Sequence, residues 1–166
     1  MTSGTRAPRS WRLLGGIDLD PASNAPAQEV VRASRYFTAA DDGLTKRWRG
    51  RVFMNPPFSR GQEFGKKLLS HYERGDVEAA IMVLNAYSFD TVWFQPFWDY
   101  PVCVSTRPAF YKPGQPMQNS PVVWAGFVYL GRDFDAFRER FSELGRVLKD
   151  PTDRAWQKRF SRRPAS

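Results

Sequence analysis

The chain has 166 residues, 42% of them hydrophobic, and a net charge of +8. That length suits one domain, and the apolar content excludes general disorder. No run approaches the roughly 18 apolar residues of a membrane helix, and the first residues lack the apolar core of a secretory leader, so the expected setting is the cytoplasm. A lone cysteine, Cys103, excludes an internal disulfide. With a lone histidine, His71, it also argues against a structural zinc cluster, and no metal is expected.

Residues 1–16 carry three bases and no acid, and read as a basic arm. Ile17-Asp18-Leu19-Asp20 reads as a strand broken by Pro21, with its acids near the carboxyl end. Ser23-Asn24 can cap a helix running to about Ala33, with Pro26 tolerated in its first turn. Tyr36-Phe37-Thr38 and Asp41-Asp42-Gly43-Leu44 read as loop, a long irregular excursion of the kind that often binds ligand. Arg51 to Met54 is the next strand. Ser59 with Gln62 forms a capping-box pattern, and Phe64, Leu68 and Tyr72 recur at helical spacing, so a helix is expected over 60–74, ended by Gly75.

Ala79 to Leu84 is continuously apolar, as in a central strand covered on both faces. Ser88 opens a short helix that Pro96 stops. Val102 to Ser105 and Val122 to Leu130 read as strands, separated by a loop around Pro113, Gly114 and Pro116. Phe134, Phe137, Phe141, Leu144 and Leu148 repeat at three and four, which predicts one long helix. Residues 151–166, with five bases and one acid, form a basic tail. The order of elements argues for a three-layer α/β domain over 17–150 with a mostly parallel central sheet. Ligands in such folds gather at the carboxyl ends of strands, where Asp20 and Asn55 would stand.

Charge is uneven within the body. Lys46, Arg47, Arg49, Arg51, Arg60, Lys66, Lys67 and Arg74 crowd residues 46–74 against only Glu63 and Glu73. This favours a phosphate-facing side, while ordinary solubilising charge is the alternative. Arg60, Lys66 and Lys67 are candidate phosphate contacts, and Arg107, Tyr111, Lys112 and Gln118 candidates for a substrate loop.

Asn55-Pro56-Pro57-Phe58 lies at the centre of that basic run. Two successive prolines lack ladder donors and force the chain off its sheet in a stiff, extended form. The Asn55 side-chain oxygen and the Pro56 carbonyl can accept both hydrogens of a conjugated base amine. Drawing those hydrogens to one side turns the nitrogen lone pair out of the ring plane, towards a sulfonium methyl opposite. Phe58 would stack on the base, and a target within a duplex would be flipped out. From these four residues alone, a purely structural corner is the stronger reading.

The chain resembles the phage-type DNA N6-adenine methyltransferases. The resemblance is carried by Asp18-Leu19-Asp20-Pro21-Ala22-Ser23-Asn24, Arg35-Tyr36-Phe37-Thr38, Asp42-Gly43-Leu44 with Trp48, and Arg51-Val52-Phe53-Met54-Asn55-Pro56-Pro57-Phe58. It is sharp over 17–72 and looser to about 148. It implies a Rossmann-like methyltransferase fold, S-adenosylmethionine as cofactor, DNA as partner, and a bacterial or phage-infected cell as setting. It implies a catalytic role for Asn55, Pro56, Pro57 and Phe58. It places Asp20, Pro21 and Ala22 beside the cofactor, with Asp18 and Asp42 as further acids. The chain departs from many methyltransferases in having no glycine-rich loop after its first strand, since Gly15-Gly16 precede it. A cytosine-N4 enzyme and a non-catalytic nucleic-acid-binding protein are the competing readings. A dimer is compatible with the sequence.

Overall fold

The structure, a computed structural model, describes residues 9–105 and 125–148. Seven strands form one sheet: β1 (Leu19–Asp20), β2 (Arg35–Tyr36), β3 (Gly50–Met54), β4 (Val77–Asn85), β5 (Val102–Ser105), β6 (Ala125–Leu130) and β7 (Gly145–Leu148), in the order β2-β1-β3-β4-β6-β5-β7. Three helices pack on it: α1 (Ala25–Val31), α2 (Gly61–Glu73) and α3 (Phe134–Phe141). Strand side chains alternate between two cores, as the pleat demands. Val52, Met54, Ala80, Met82 and Leu84 meet Phe64 and Leu68 of α2, with Phe94 and Phe97. Phe53, Ile81 and Val83 meet Phe137 and Phe141 of α3, Val31 of α1 and Leu14. Leu14 belongs to a 3-10 turn, Arg9–Leu14, so the arm expected over 1–16 does not run free to its end.

The sheet is mixed rather than mostly parallel. β2-β1, β1-β3 and β3-β4 pair parallel, whereas β4-β6, β6-β5 and β5-β7 pair antiparallel. The apolar run of β6 reports burial on both faces, which its buried residues bear out, and is silent about direction.

The long helix expected to reach Leu148 ends at Phe141, and β7 follows it. Gly145 pairs with Ser105, and a Cβ there would sit 2.1 Å from the Val104 carbonyl, so only glycine permits the approach. Leu144 and Leu148, which continued the helical spacing, are exposed. Pro96 does not stop a helix; it lies inside a 3-10 segment, Val92–Asp99, that buries Phe94 and Phe97. Ser59 is not the cap of α2. Phe58–Arg60 form a 3-10 turn, closed by Arg60 N donating to Pro57 O at 2.9 Å, and Arg60 holds the cap position without a side-chain bond.

α1 begins as expected. The Asn24 side chain accepts from Ala27 N at 2.9 Å and proline occupies the first turn, but the helix ends at Val31 because Arg32 turns left-handed. β2 falls where a loop was expected. It is exposed along both residues, so no apolar alternation marked it. Arg107, Tyr111, Lys112 and Gln118, and the tail 151–166, lie outside the described residues.

Gly145→Ala separates the two geometries. In a continued helix it would add roughly 1 kcal/mol of stability. In the β5–β7 pair it should cost about 1–3 kcal/mol by overpacking. We expect a lower unfolding midpoint and lost amide protection at Val147 before Phe137; a gain in stability would contradict the strand.

Candidate active site

β1 runs into α1, which crosses to β2 on one side; the chain then returns to β3 on the other side of β1. Such a reversal leaves a crevice at the carboxyl ends of the two central strands. A cleft of about 740 Å³ lies there. The β1–α1 turn (Pro21 to Asn24) forms one wall, the loop of Thr38 to Ala40 with Asp42 and Gly43 a second, and Asn55 to Phe58 with Arg60 and Phe64 the third.

Two turns meet closely at its base. A Cβ on Gly43 would lie 2.0 Å from the Pro21 carbonyl, so the residue there must be glycine. Trp48, wholly buried, donates from Nε1 to Gly43 O at 2.8 Å and stacks on Phe64 at 5.9 Å, joining the second wall to the third. Thr38 donates from its backbone and hydroxyl to Asp41 Oδ2, which holds that carboxyl below its ordinary range.

At the third wall Pro56 is buried, while Asn55 and Phe58 are exposed, Phe58 by 54%. Among the described residues nothing hydrogen-bonds the Asn55 side-chain amide or the Pro56 carbonyl. Two acceptors and a free ring therefore stand together at the mouth.

The candidate acids part company. Asp18 binds Arg51, with Nε to Oδ2 at 2.8 Å and Nη2 to Oδ1 at 2.9 Å, and does not line the cleft. Those hydrogen bonds first, with the Arg51 charge, hold its carboxyl down at about 2. Asp20 is only 2% exposed and also does not line the cleft. It braces the turn from behind, accepting from Ala22 N at 3.3 Å and from Gln28 Nε2 at 2.9 Å. Burial outweighs these bonds and raises its pKa to about 6. Pro21, Ala22 and Asp42 do line the cleft, and Asp42 Oδ1 faces Arg60 Nη1 at 3.6 Å.

The candidate cations also separate. Arg60 lies at the cleft, paired with Glu63. Lys66 opens onto a different groove, between α2 and the Val92–Asp99 segment. Lys67 turns inward, donating to Leu44 O at 2.6 Å over the Trp48 ring, and burial lowers its pKa. Sequence reasoning read the excursion through Thr38 as a ligand-binding loop without singling out Ala39 or Ala40, and missed Phe64 as a cleft residue. The length of the 37–49 excursion was the available signal.

The cleft thus sits at the switch point with the Asn-Pro-Pro-Phe corner at its mouth. The family model described as DNA N-6-adenine-methyltransferase (Dam) matches residues 13–100, and the chain belongs to that family. It is accordingly an enzyme that uses S-adenosylmethionine to methylate the N6 amine of adenine in DNA. No curated protein matches the chain. None of the described helices is long and apolar enough to cross a membrane.

Asp20 gives this wall a pH signature. Its folded pKa, about 6, lies above its ordinary value of 3.8, so the stability tied to its protonated form is complete below 3.8 and is lost as pH rises through about 6. Denaturant titrations from pH 4 to 7 should show the wild type losing stability relative to Asp20→Asn across that window. A difference that stays flat, or grows in the opposite sense, would refute the buried acid.

Proposed function

We propose that Asn55 Oδ1 and Pro56 O accept the two hydrogens of the adenine N6 amine, with Phe58 stacked on the base. The supporting observation is that both acceptors are unengaged by described residues at the cleft mouth, beside an exposed ring. Acceptors in the amine plane hold the hydrogens to one side and leave the lone pair directed across the cleft, away from the ring. Their contribution grows as the nitrogen acquires positive charge, so it lowers the barrier and not merely the binding energy. Neither oxygen is a base at neutral pH, and the proton shed by N6 passes to water.

S-Adenosylmethionine supplies an electrophilic methyl on a sulfonium sulfur. The β1 side of the cleft fits it. A volume of about 740 Å³ falls within the roughly 300–1,000 Å³ of ordinary cofactor sites. Pro21, Ala22, Ala39 and Ala40 offer a small-residue wall, and Asp42 an acceptor for hydroxyls. We assign the cofactor-facing role to Pro21, Ala22 and Asp42, with Asp20 holding their turn and Asp18 tying β1 to β3 through Arg51.

The parallel half of the sheet, crossed over by α1, supports a Rossmann-like reading of the fold. Residues 17–150 are the catalytic unit in this reading, with the turn at 9–14 packed on it. Arg60 is its phosphate contact nearest the corner, with Lys66 a further one; Arg107, Tyr111 and Lys112 are its candidates for a substrate loop. The enzyme acts on DNA in the cytoplasm of a bacterial or phage-infected cell.

Methyl-labelled S-adenosylmethionine with mixed-sequence DNA should place label in N6-methyladenine. Label confined to N4-methylcytosine, or none, would overturn this. Asn55→Ala should lower kcat by roughly 100-fold or more, as loss of a transition-state hydrogen bond does, without changing the unfolding midpoint. Phe58→Ala should weaken the base complex by ~1–3 kcal/mol and leave cofactor binding alone. Near-normal turnover in Asn55→Ala would remove the amine grip.

A further inference from the structure

Tyr87 is unused by the site described above. It sits in a 3-10 turn, Ala86–Ser88, directly after β4, and its ring is 71% exposed. A single exposed tyrosine is ordinary, but two features set this one apart.

The first is rigidity. Ser88 Oγ donates to Asn85 Oδ1 at 3.3 Å, Thr91 Oγ1 donates to Ser88 O at 2.6 Å, and Phe89 N donates to Ala86 O at 3.2 Å. The Phe89 ring is wedged between Phe94 and Trp98, at 5.1 and 5.4 Å, and against Gly126, where a Cβ would lie 2.4 Å away. The turn is pinned from below while its one large ring faces solvent.

The second is place. Three aromatic residues among those described are exposed beyond a third: Tyr36, Phe58 and Tyr87. They stand at the carboxyl ends of β2, β3 and β4, along one edge of the sheet. The last β3–β4 pair is Met54 with Met82, and β4 continues to Asn85, ~10 Å farther at the usual strand rise. The Asn55 corner therefore lies in a step between a short strand and a long one. The cleft opens on the β1 side of that corner, and Tyr87 caps the β4 side.

We propose that Tyr87 is a DNA-stacking residue that receives a base flanking the target adenine. This rests on the reading of Asn55–Phe58 as the amine grip. With the methyl donor on the β1 side, the nucleotides next to the captured one leave towards β4, where a turn of fixed backbone presents an exposed ring. Stacking on such a face is sequence-tolerant, so its contribution is to affinity and register.

The test is direct binding of fluorescein-labelled, mixed-sequence DNA to the full chain by anisotropy. Tyr87→Ala should bind roughly tenfold more weakly and Tyr87→Phe within about twofold of wild type, because the ring carries the effect. Val92→Ser alters a residue that is 87% exposed in the other groove, and should bind as wild type. S-Adenosylmethionine binding, followed by calorimetry, should be the same in all three. Unchanged DNA affinity in Tyr87→Ala, an equal loss in Tyr87→Phe, or an equal loss in Val92→Ser would each overturn the proposal. Failure of the amine grip shows separately, as turnover surviving in Asn55→Ala, since the binding measurement needs no methyl transfer.

Discussion

Two missing backbone donors shape this molecule's working edge. Pro56 and Pro57 have no N–H to give, so the ladder between β3 and β4 ends at Met54 and Met82, although β4 runs on to Asn85 against β6. The chain leaves β3 extended, Pro57 holding φ −53° and ψ 135°, before the Phe58–Arg60 turn reverses it into α2. At that break the Asn55 side chain is exposed and no described residue hydrogen-bonds the Pro56 carbonyl. The same break makes the step beside β4 and the third wall of the cleft.

Everything beneath that edge serves to hold it still. Trp48 joins the 43–48 loop to α2 through one hydrogen bond and one ring contact. Asp20 and Gln28 lock the β1–α1 turn, with Gln28 also donating to Ser23 Oγ and accepting from Ala33 N. At the amino end of the same strand, Asp18 and Arg51 clamp β1 to β3. One acid is held low by a guanidinium and the other raised by burial, only two residues apart. Catalysis by positioning depends on such stiffness, since a displacement of about 1 Å can cost two orders of magnitude in rate.

The corner, the central strand β4 and the entry to α1 were legible because each rests on local chemistry: proline's missing donor, an unbroken apolar run, and an asparagine cap. The errors came from non-local packing. Nothing near Gly145 in the chain announces the Val104 carbonyl that forbids a side chain there, so the helical spacing of Leu144 and Leu148 misled. The basic run 46–74 looked like one phosphate-facing surface, yet folding scatters it. Arg51 is spent on Asp18, Lys67 on the Leu44 carbonyl and Arg74 on Asp76, leaving Arg60 at the cleft. Clustering along the chain says little about clustering in space once a helix turns its faces apart.

The mixed sheet bears on function as well as topology. In the parallel half, β1, β3 and β4 deliver their carboxyl ends to one edge, and each end carries a different feature: the turn braced by Asp20, the Asn55–Phe58 corner, and the pinned turn with Tyr87. The antiparallel half turns β6 and β7 the other way, while its β5 runs with β4. Its β6 runs back against β4 and gives Phe89 the Gly126 surface on which the Tyr87 turn rests. The reversal of direction at β6 thus sets a buttress against β4 that keeps the cleft edge in register. Strengthening the buttress raises stability without touching the cleft, whereas any change that lets β3 continue past Met54 would close the step beside β4 and remove the third wall of the cleft.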